Sequence, residues 1–340
     1  MKADLVSVIV VNWNGARLLR SCLEAIASQD YPSIETIVVD NGSVDGSVEI
    51  PAAIPSIRLV RNRENLGFAL ANNIAIDLAQ GEFVLLLNYD AILEPSYVGI
   101  LVAALRADPA RGSVSGKLLR PGSVDPRTID SAGHIIYRNV WAMNRGEDEP
   151  DQARYNVAGE VFGVCAAAGM YRRAMLDDVK VEGEFLDSSF FSYLEDVDLD
   201  WRARLRGWRS WYEPAAVATH HRSASGGLFS VPIQRHIFKN RILMIVKNDG
   251  GFSLIKRIPG VVTFTLVRLI LGMIRAPRVG LAVIDLLRCL PVALRRRRLV
   301  QARRRVSPQV LDSWFLPYPY RSKIRARRAA RSRRQWISQL

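Results

Sequence analysis

The stretch Val6-Ser7-Val8-Ile9-Val10-Val11-Asn12-Trp13-Asn14-Gly15 sets five β-branched apolar residues and one serine directly before a polar turn. A run this apolar and this short reads as a strand buried on both faces. Leu18, Leu19, Cys22, Leu23 and Ile26 then recur at helical spacing. Residues 34–39 form a second buried strand closing on Asp40-Asn41-Gly42-Ser43, and residues 57–60 a third. Residues 68–78 read as a helix, and 83–87 as a fourth strand stopping at Asn88-Tyr89-Asp90. Strands alternating with helices predict an α/β chain with a mostly parallel sheet covered on both faces. Ligands bind such sheets beyond the carboxyl ends of the strands, and here those ends carry Asn12, Asn14, Asp40, Asn88 and Asp90.

The 340 residues are 49% hydrophobic and 24% charged, which excludes a disordered or collagenous chain. The formal charge of +14 is unevenly placed. Residues 241–340 hold 23 Lys+Arg against 3 Asp+Glu, leaving 24 and 30 to the first 240. An acidic globular part is therefore joined to a strongly basic, partly apolar tail. Cys22, Cys165 and Cys289 are widely spaced, offer no CxxC pair, and suit a reducing compartment. The apolar run 5–11 is too short for a signal peptide and reads as a strand, so export by that route is not expected. No GxGxxG follows the first strand and no GxxxxGK[ST] occurs, which argues against a dinucleotide oxidoreductase or a P-loop ATPase.

What the strand ends present is carboxylates and amides. Asp40 can accept from a base N–H or a ribose hydroxyl, while Asp40-Asn41-Gly42-Ser43 also has the composition of a turn. Asn88 and Asp90, two apart, can point oxygens at one hard cation shared with a diphosphate. Phe191-Ser192-Tyr193-Leu194-Glu195-Asp196-Val197-Asp198-Leu199 brings carboxylates beside aromatic rings, where one can serve as general base toward a hydroxyl. The same acids can decorate a helix start, with Arg202, Arg204 and Arg206 as partners; that reading weighs most on Asp198 and Asp200. His220-His221, after strand-like residues 215–219, offers an imidazole to a metal or phosphate, or simply polar surface. Residues 121–158 read as a long loop shaping a substrate site, with Tyr137 and Trp141 in it.

These elements in this order resemble glycosyltransferase family 2, and within it the rhamnosyltransferase-like branch. The resemblance rests on the two runs 6–15 and 37–47 and on Asn65-Leu66-Gly67-Phe68-Ala69. It rests further on Gly81-Glu82-Phe83-Val84-Leu85-Leu86-Leu87-Asn88-Tyr89-Asp90, the run 191–199, Gly207-Trp208 and His220-His221. It covers roughly residues 5–245. It implies a GT-A fold, a Rossmann-like mixed sheet, and inverting transfer from a nucleotide-diphosphate sugar (dTDP- or UDP-linked). By the same resemblance Asp40, with Asn12, Asn14, Asn41 and Asn65, belongs to the nucleotide pocket. Asp90 would bind Mg2+ or Mn2+ with help from Asn88, and His220 would bind the metal or diphosphate. Asp196 of the Glu195-Asp196 pair would be the catalytic base. Two departures stand out: Asn88 replaces the first acid of the family's DxD, and Tyr89 lies where Pro is frequent. Rhamnose is the favoured sugar, with a polyprenyl-diphosphate-linked or other cell-envelope glycan as acceptor. The alternatives are a galactofuranosyl or hexosyl donor, a nucleotidyl transfer, or a catalytically silent scaffold.

The expected organisation is a catalytic domain over 1–245 and a helical membrane-association region over 246–340. Residues 258–274 contain one charge, Arg268, and 279–294 contain Asp285 and Arg288. Apolar segments interleaved with Arg clusters fit anionic lipid rather than nucleic acid. A span needs about 20 apolar residues; 258–274 is short and holds Arg268, and 279–294 holds Asp285, Arg288 and Pro291, which favours interfacial or re-entrant helices over the alternative of a spanning hairpin, on the cytoplasmic face of the inner or plasma membrane. Trp314, Phe315, Tyr318, Tyr320 and Trp336 would then act as interface anchors.

Overall fold

The computed structural model describes residues 1–122, 127–222 and 230–319. Along the chain come β1 (Lys2–Asn12), α1 (Leu19–Ala27), β2 (Ile34–Asn41), α2 (Glu49–Ala52), β3 (Ile57–Asn62) and α3 (Phe68–Leu78). Then follow β4 (Gly81–Asn88), β5 (Ala91–Leu93), α4 (Tyr97–Arg106), β6 (Arg111–Leu119), β7 (Ile129–Ser131), β8 (His134–Tyr137) and β9 (Ala142–Asn144). The next elements are β10 (Gly159–Val161), β11 (Ala168–Arg172), α5 (Arg173–Val179), α6 (Glu195–Leu205) and β12 (Arg209–His220). The chain closes with α7 (Val231–Asn248), α8 (Gly251–Arg275), α9 (Ala282–Ala302) and β13 (Phe315–Leu316).

The main sheet runs β10-β12-β6-β11-β4-β1-β2-β3, with β5 on β12 and β7 on β6. β4, β1, β2 and β3 are parallel, whereas β11 runs antiparallel to both β4 and β6, so the sheet is mixed. The alternation of β1 explains its unbroken apolar sequence. Val6, Val8 and Val10 pack on α1 and α4, while Ile9 and Val11 face α3 and the α5–α6 layer. Register does the rest. Asn12 pairs with Asp40 and Val11 with Asn88, β11 begins opposite Leu87, and His220 pairs with Ala91. Five chain segments thus meet at one edge of the sheet.

Residues 121–158 depart from the expected open loop. Where described, they fold into β7, β8 and β9, and β8 is bordered by β9 and β13 in a second small sheet. His134-Ile135-Ile136-Tyr137 is apolar enough to pair once β13 arrives from the far end of the chain.

The expected boundary at 245 falls inside α7, and the helices beyond it are not a detached module. Leu243, Met244, Ala293, Val300 and Phe315 share one core with Phe190 and Trp201 of the catalytic part. Phe315, expected as an interface anchor, is instead buried against Trp201 and Phe162. Trp314 carries the Arg204 guanidinium over its ring at 3.9 Å, and Tyr318 packs on Tyr137 and Phe264. Tyr320 and Trp336 lie outside the described residues. Part of the basic charge is also internal. Lys247 pairs with Asp187 and Asp198, Arg257 with Asp249 and Asp312, and Arg296 with Glu182, Glu184 and Asp187. α8 differs: it is continuous through Pro259 and exposes Phe252, Ile255, Ile258, Leu266, Ile270 and Ile274. By length and composition alone it is able to cross a membrane.

Candidate active site

Asn12 is fully buried at the end of β1, where its amide donates to Asp40 Oδ1 and Ser47 Oγ, both at 2.8 Å, and to Ser43 Oγ at 3.1 Å. Asp40 Oδ2 accepts from the Ser43 amide at 3.1 Å. The turn and the carboxylate are therefore one device: the Asx-type turn fixes Asp40 at the strand end, and a carboxylate has lone pairs left to accept from a ligand. Asn12 orients Asp40 from behind. Asn14, exposed at φ +53°, accepts from the Val44 amide at 2.9 Å and ties the first turn to the second. Asn41 is a brace: its Oδ1 accepts from Asn62 and the Leu66 amide, and its Nδ2 donates to Asn65 and the Gly67 carbonyl. All four of its ordinary hydrogen bonds go to the protein, so Asn41 and Asn65 hold the loop 62–67 against the sheet edge.

The second group gathers around His220. Its Nε2 lies 3.3 Å from Asp90 Oδ1 and 3.3 Å from the Asn88 amide, and its Nδ1 lies 2.8 Å from Asp130 Oδ2. Asp130 is fully buried and also holds Arg120 and Arg222. A carboxylate behind the imidazole fixes the ring so that Nε2 faces Asp90, as in metal-ligating histidines. Burial disfavours the charged ring, but the hydrogen bonds to Asp130 and Asp90 outweigh it and raise His220 to about 9. The His220 ring turns into the cluster, while His221 contributes its backbone N–H to the Asp90 carbonyl at 2.9 Å. Asp90 offers a carboxylate oxygen and His220, once its Nε2 proton has left, a ring nitrogen backed by Asp130, a donor set that suits Mn2+ and, through the oxygen, Mg2+.

The third group sits at the start of α6. Before it, residues 190–194 are contorted. Phe191 has φ +65° and ψ −64°, and the Ser192 amide donates to the Phe190 carbonyl at 2.8 Å, which is a γ-turn of the strained hand. Tyr193 and Leu194 also have positive φ. Strain of this kind persists only where surroundings impose it. Here Asn240 of α7 donates to the carbonyls of Phe190, Ser192 and Tyr193 at 2.7–2.9 Å, and Phe191 stacks on His236 at 5.1 Å. The Phe191 carbonyl in turn accepts from the Ala69 amide. A Cβ on Gly67 (φ +83°) would lie 2.6 Å from that carbonyl oxygen. Gly67→Ala is therefore expected to displace the loop and lower turnover by about 10²-fold, measured as kcat beside an unfolding curve that shows the variant still folds.

The loop delivers Glu195 inward and Asp196 outward. Glu195 is buried, and burial together with the adjacent Asp196 pushes its carboxyl well above the usual range. Asp196 is the more exposed of the two, with its side chain 17% accessible. Its oxygens accept from the amides of Val197 at 2.8 Å and Ala166 at 3.3 Å. Asp198 does belong to the helix: it pairs with Arg202 one turn on at 2.9 Å. Asp200, however, faces the fully enclosed His134, with Oδ2 2.9 Å from Nδ1, and His134 Nε2 lies 3.5 Å from Asp196. Burial pushes Asp200 up to about 6. Burial opposes charge on His134 as well, but Asp196 and Asp200 outweigh it and raise that ring well above its ordinary value. Asp130 and His134 went unnoticed among the sequence candidates. Their only local signal is two titratable residues flanking Ser131-Ala132-Gly133 before an apolar run.

The family model for glycosyl transferase family 2 matches residues 7–180. An N-acetylglucosaminyl-diphospho-decaprenol L-rhamnosyltransferase of Mycobacterium tuberculosis is 28% identical over 247 residues, 66% of this chain and 78% of that protein. An N-acetylglucosaminyltransferase of Bradyrhizobium diazoefficiens is 32% identical over 223 residues, 63% of this chain and 44% of that protein. The chain spans only 27% of the length of a Sinorhizobium fredii relative that it matches at 28% identity. Among solved structures, a mannosyltransferase from Pyrobaculum calidifontis in complex with GDP-Man and Mn2+ superposes with a TM-score of 0.52 at 19% identity, covering 91% of this chain and 87% of that one. The matched residues span half of the chain and contain the strand ends that build Asp40 and Asp90, and the mixed sheet is that of GT-A enzymes: the chain belongs to glycosyl transferase family 2.

Proposed function

We propose that this transferase moves a sugar, rhamnose by preference, from a nucleotide-diphosphate donor to a polyprenyl-diphosphate-linked or other envelope glycan, with inversion at the anomeric carbon. The observation that carries the reading is the meeting, at one sheet edge, of Asp40, the Asp90–His220 cluster and the outward carboxylate of Asp196. Asp40 accepts from the base or ribose. Asp90 and His220, with Asn88 beside them, would hold a divalent cation, which would supply neutralisation of the charge developing on the departing diphosphate. Asp196 takes the proton of the attacking hydroxyl at a carboxylate oxygen, so a single displacement needs no covalent intermediate on the protein. Glu195, buried behind it with its carboxyl pushed well above the usual range, disfavours a second negative charge at that spot.

The rhamnosyl preference follows the mycobacterial relative, whose name also supplies the polyprenyl diphosphate acceptor. The rhizobial relative favours a second reading, in which the donor carries N-acetylglucosamine. Attachment to a membrane, on its cytoplasmic face in this reading, draws on the exposed apolar side of α8, which bears on attachment and not on the face. The test is nucleotide release from a panel of dTDP- and UDP-sugars, with and without Mn2+ or Mg2+. Release from dTDP-rhamnose that depends on cation and on acceptor is expected, and chelation should remove it. Release from UDP-N-acetylglucosamine alone would transfer the assignment to the second reading, and no donor binding at all would leave a silent scaffold.

A further inference from the structure

His134, Cys165 and Asp196 each offer one ligand atom, and these atoms all lie within 4.8 Å of one another. They come from separate places: β8, the turn before β11, and the start of α6. His134 Nδ1 is engaged by Asp200 Oδ2 at 2.9 Å, which turns Nε2 toward Cys165 and Asp196. Asp200 itself is fixed by the Val164 amide at 3.1 Å. Gly163 makes room for it, since a Cβ there would lie 1.8 Å from Asp200 Oδ2. A carboxylate behind a histidine whose other nitrogen faces a thiol and a second carboxylate is the supporting arrangement of zinc sites. His134 is enclosed, whereas Cys165 and Asp196 are partly exposed, so the cluster has an entry path from solvent.

The donor set also sets this cluster apart from the one at Asp90. The Cys165 thiolate, which the Asp90–His220 cluster lacks, selects a borderline cation such as Zn2+ and discriminates against Mg2+, which wants oxygen ligands. We propose that His134, Cys165 and Asp196 form a second metal site, for Zn2+ or a cation of similar softness, whose occupation inhibits transfer by capturing the Asp196 carboxylate. Binding releases the Cys165 thiol proton and any proton on His134 Nε2 to solvent, and leaves three protein ligands and one open position. The inhibitory consequence rests on Asp196 acting as base; the binding does not.

The two are separated by using Co2+ as a spectroscopic stand-in on the full chain after chelator treatment. A thiolate-to-cobalt charge-transfer band is expected on titration, insensitive to excess Mg2+ and displaced by Zn2+. Cys165→Ser should abolish the band, while Asp90→Asn should retain it. In transfer assays with saturating Mg2+, Zn2+ should inhibit the parent chain, and Cys165→Ser should need about 10-fold more Zn2+ or greater for the same inhibition. Absence of the band in the unmodified chain, or its survival in Cys165→Ser, would overturn the site. A band without Zn2+ inhibition would keep the metal site and refute Asp196 as the base.

Discussion

Asp196→Asn should lower turnover by about 10²–10⁴-fold, the contribution of a general base, and leave donor affinity where it was. The substitution is nearly isosteric, and Asn keeps an oxygen to accept from the Val197 amide, so the start of α6 has no reason to move. What disappears is a charged acceptor for the hydroxyl proton. In the proposed reading the donor is recognised elsewhere, by the Asp40 turn, held by Asn12 and Ser43, and by the Asp90–His220 cluster, held by Asp130. Glu195→Gln offers a contrast. Because burial and Asp196 push that carboxyl well above the usual range and disfavour its charge, a neutral amide is a close stand-in, and the loss should be far smaller. The measurement is kcat for both variants together with donor Kd by calorimetry. A kcat near that of the parent in Asp196→Asn, with weakened donor binding, would move Asp196 from catalysis to donor binding.

What the sequence made legible is what is local. The strands at 6–11, 34–39 and 83–87 announce themselves because both faces of each are buried, and the polar residues just past them are then placed by geometry common to all parallel sheets. The γ-turn at Phe191 was invisible, because no residue preference encodes a strained hand; it exists because Asn240, some fifty positions later, collects three carbonyls. His134 and Asp200 are 66 residues apart and meet only after β8 and α6 have packed. The basic tail misled in a similar way. Its Arg and Lys residues look alike in sequence, but Lys247, Arg257 and Arg296 are buried in ion pairs, while Arg298 and Arg304 remain on the surface. Charge composition cannot separate a cation that meets lipid from one that meets Asp187.

That buried network yields the largest stability effect. Lys247 is 1% exposed, and its ammonium sits between Asp187 and Asp198, 2.9 Å from the latter. Burial alone would raise the Asp187 carboxyl; Lys247 and Arg296 reverse this and hold it well below the usual carboxylate range. Lys247→Met keeps the volume of the stem but leaves two carboxylates with one cation fewer. Breaking a buried pair from one side costs about 3–5 kcal/mol. Arg202 and Arg296 still reach Asp198 and Asp187, so the lower end, about 3 kcal/mol, is expected, as a fall in the urea midpoint at unchanged slope. The same logic bears on where the catalytic unit ends. A chain stopped at 245 would lose Lys247, the Asn248 amide that donates to Asp198 at 2.7 Å, and Arg296 together. Asp187 and Asp198 flank the loop that aims Asp196, so such a chain should lose transferase activity even toward a water-soluble acceptor that needs no membrane. Full activity of that truncated chain in detergent-free solution would mean that the helices from 246 onward serve attachment alone. Loss of activity with retained donor binding would mean that they also hold the catalytic loop in its strained shape.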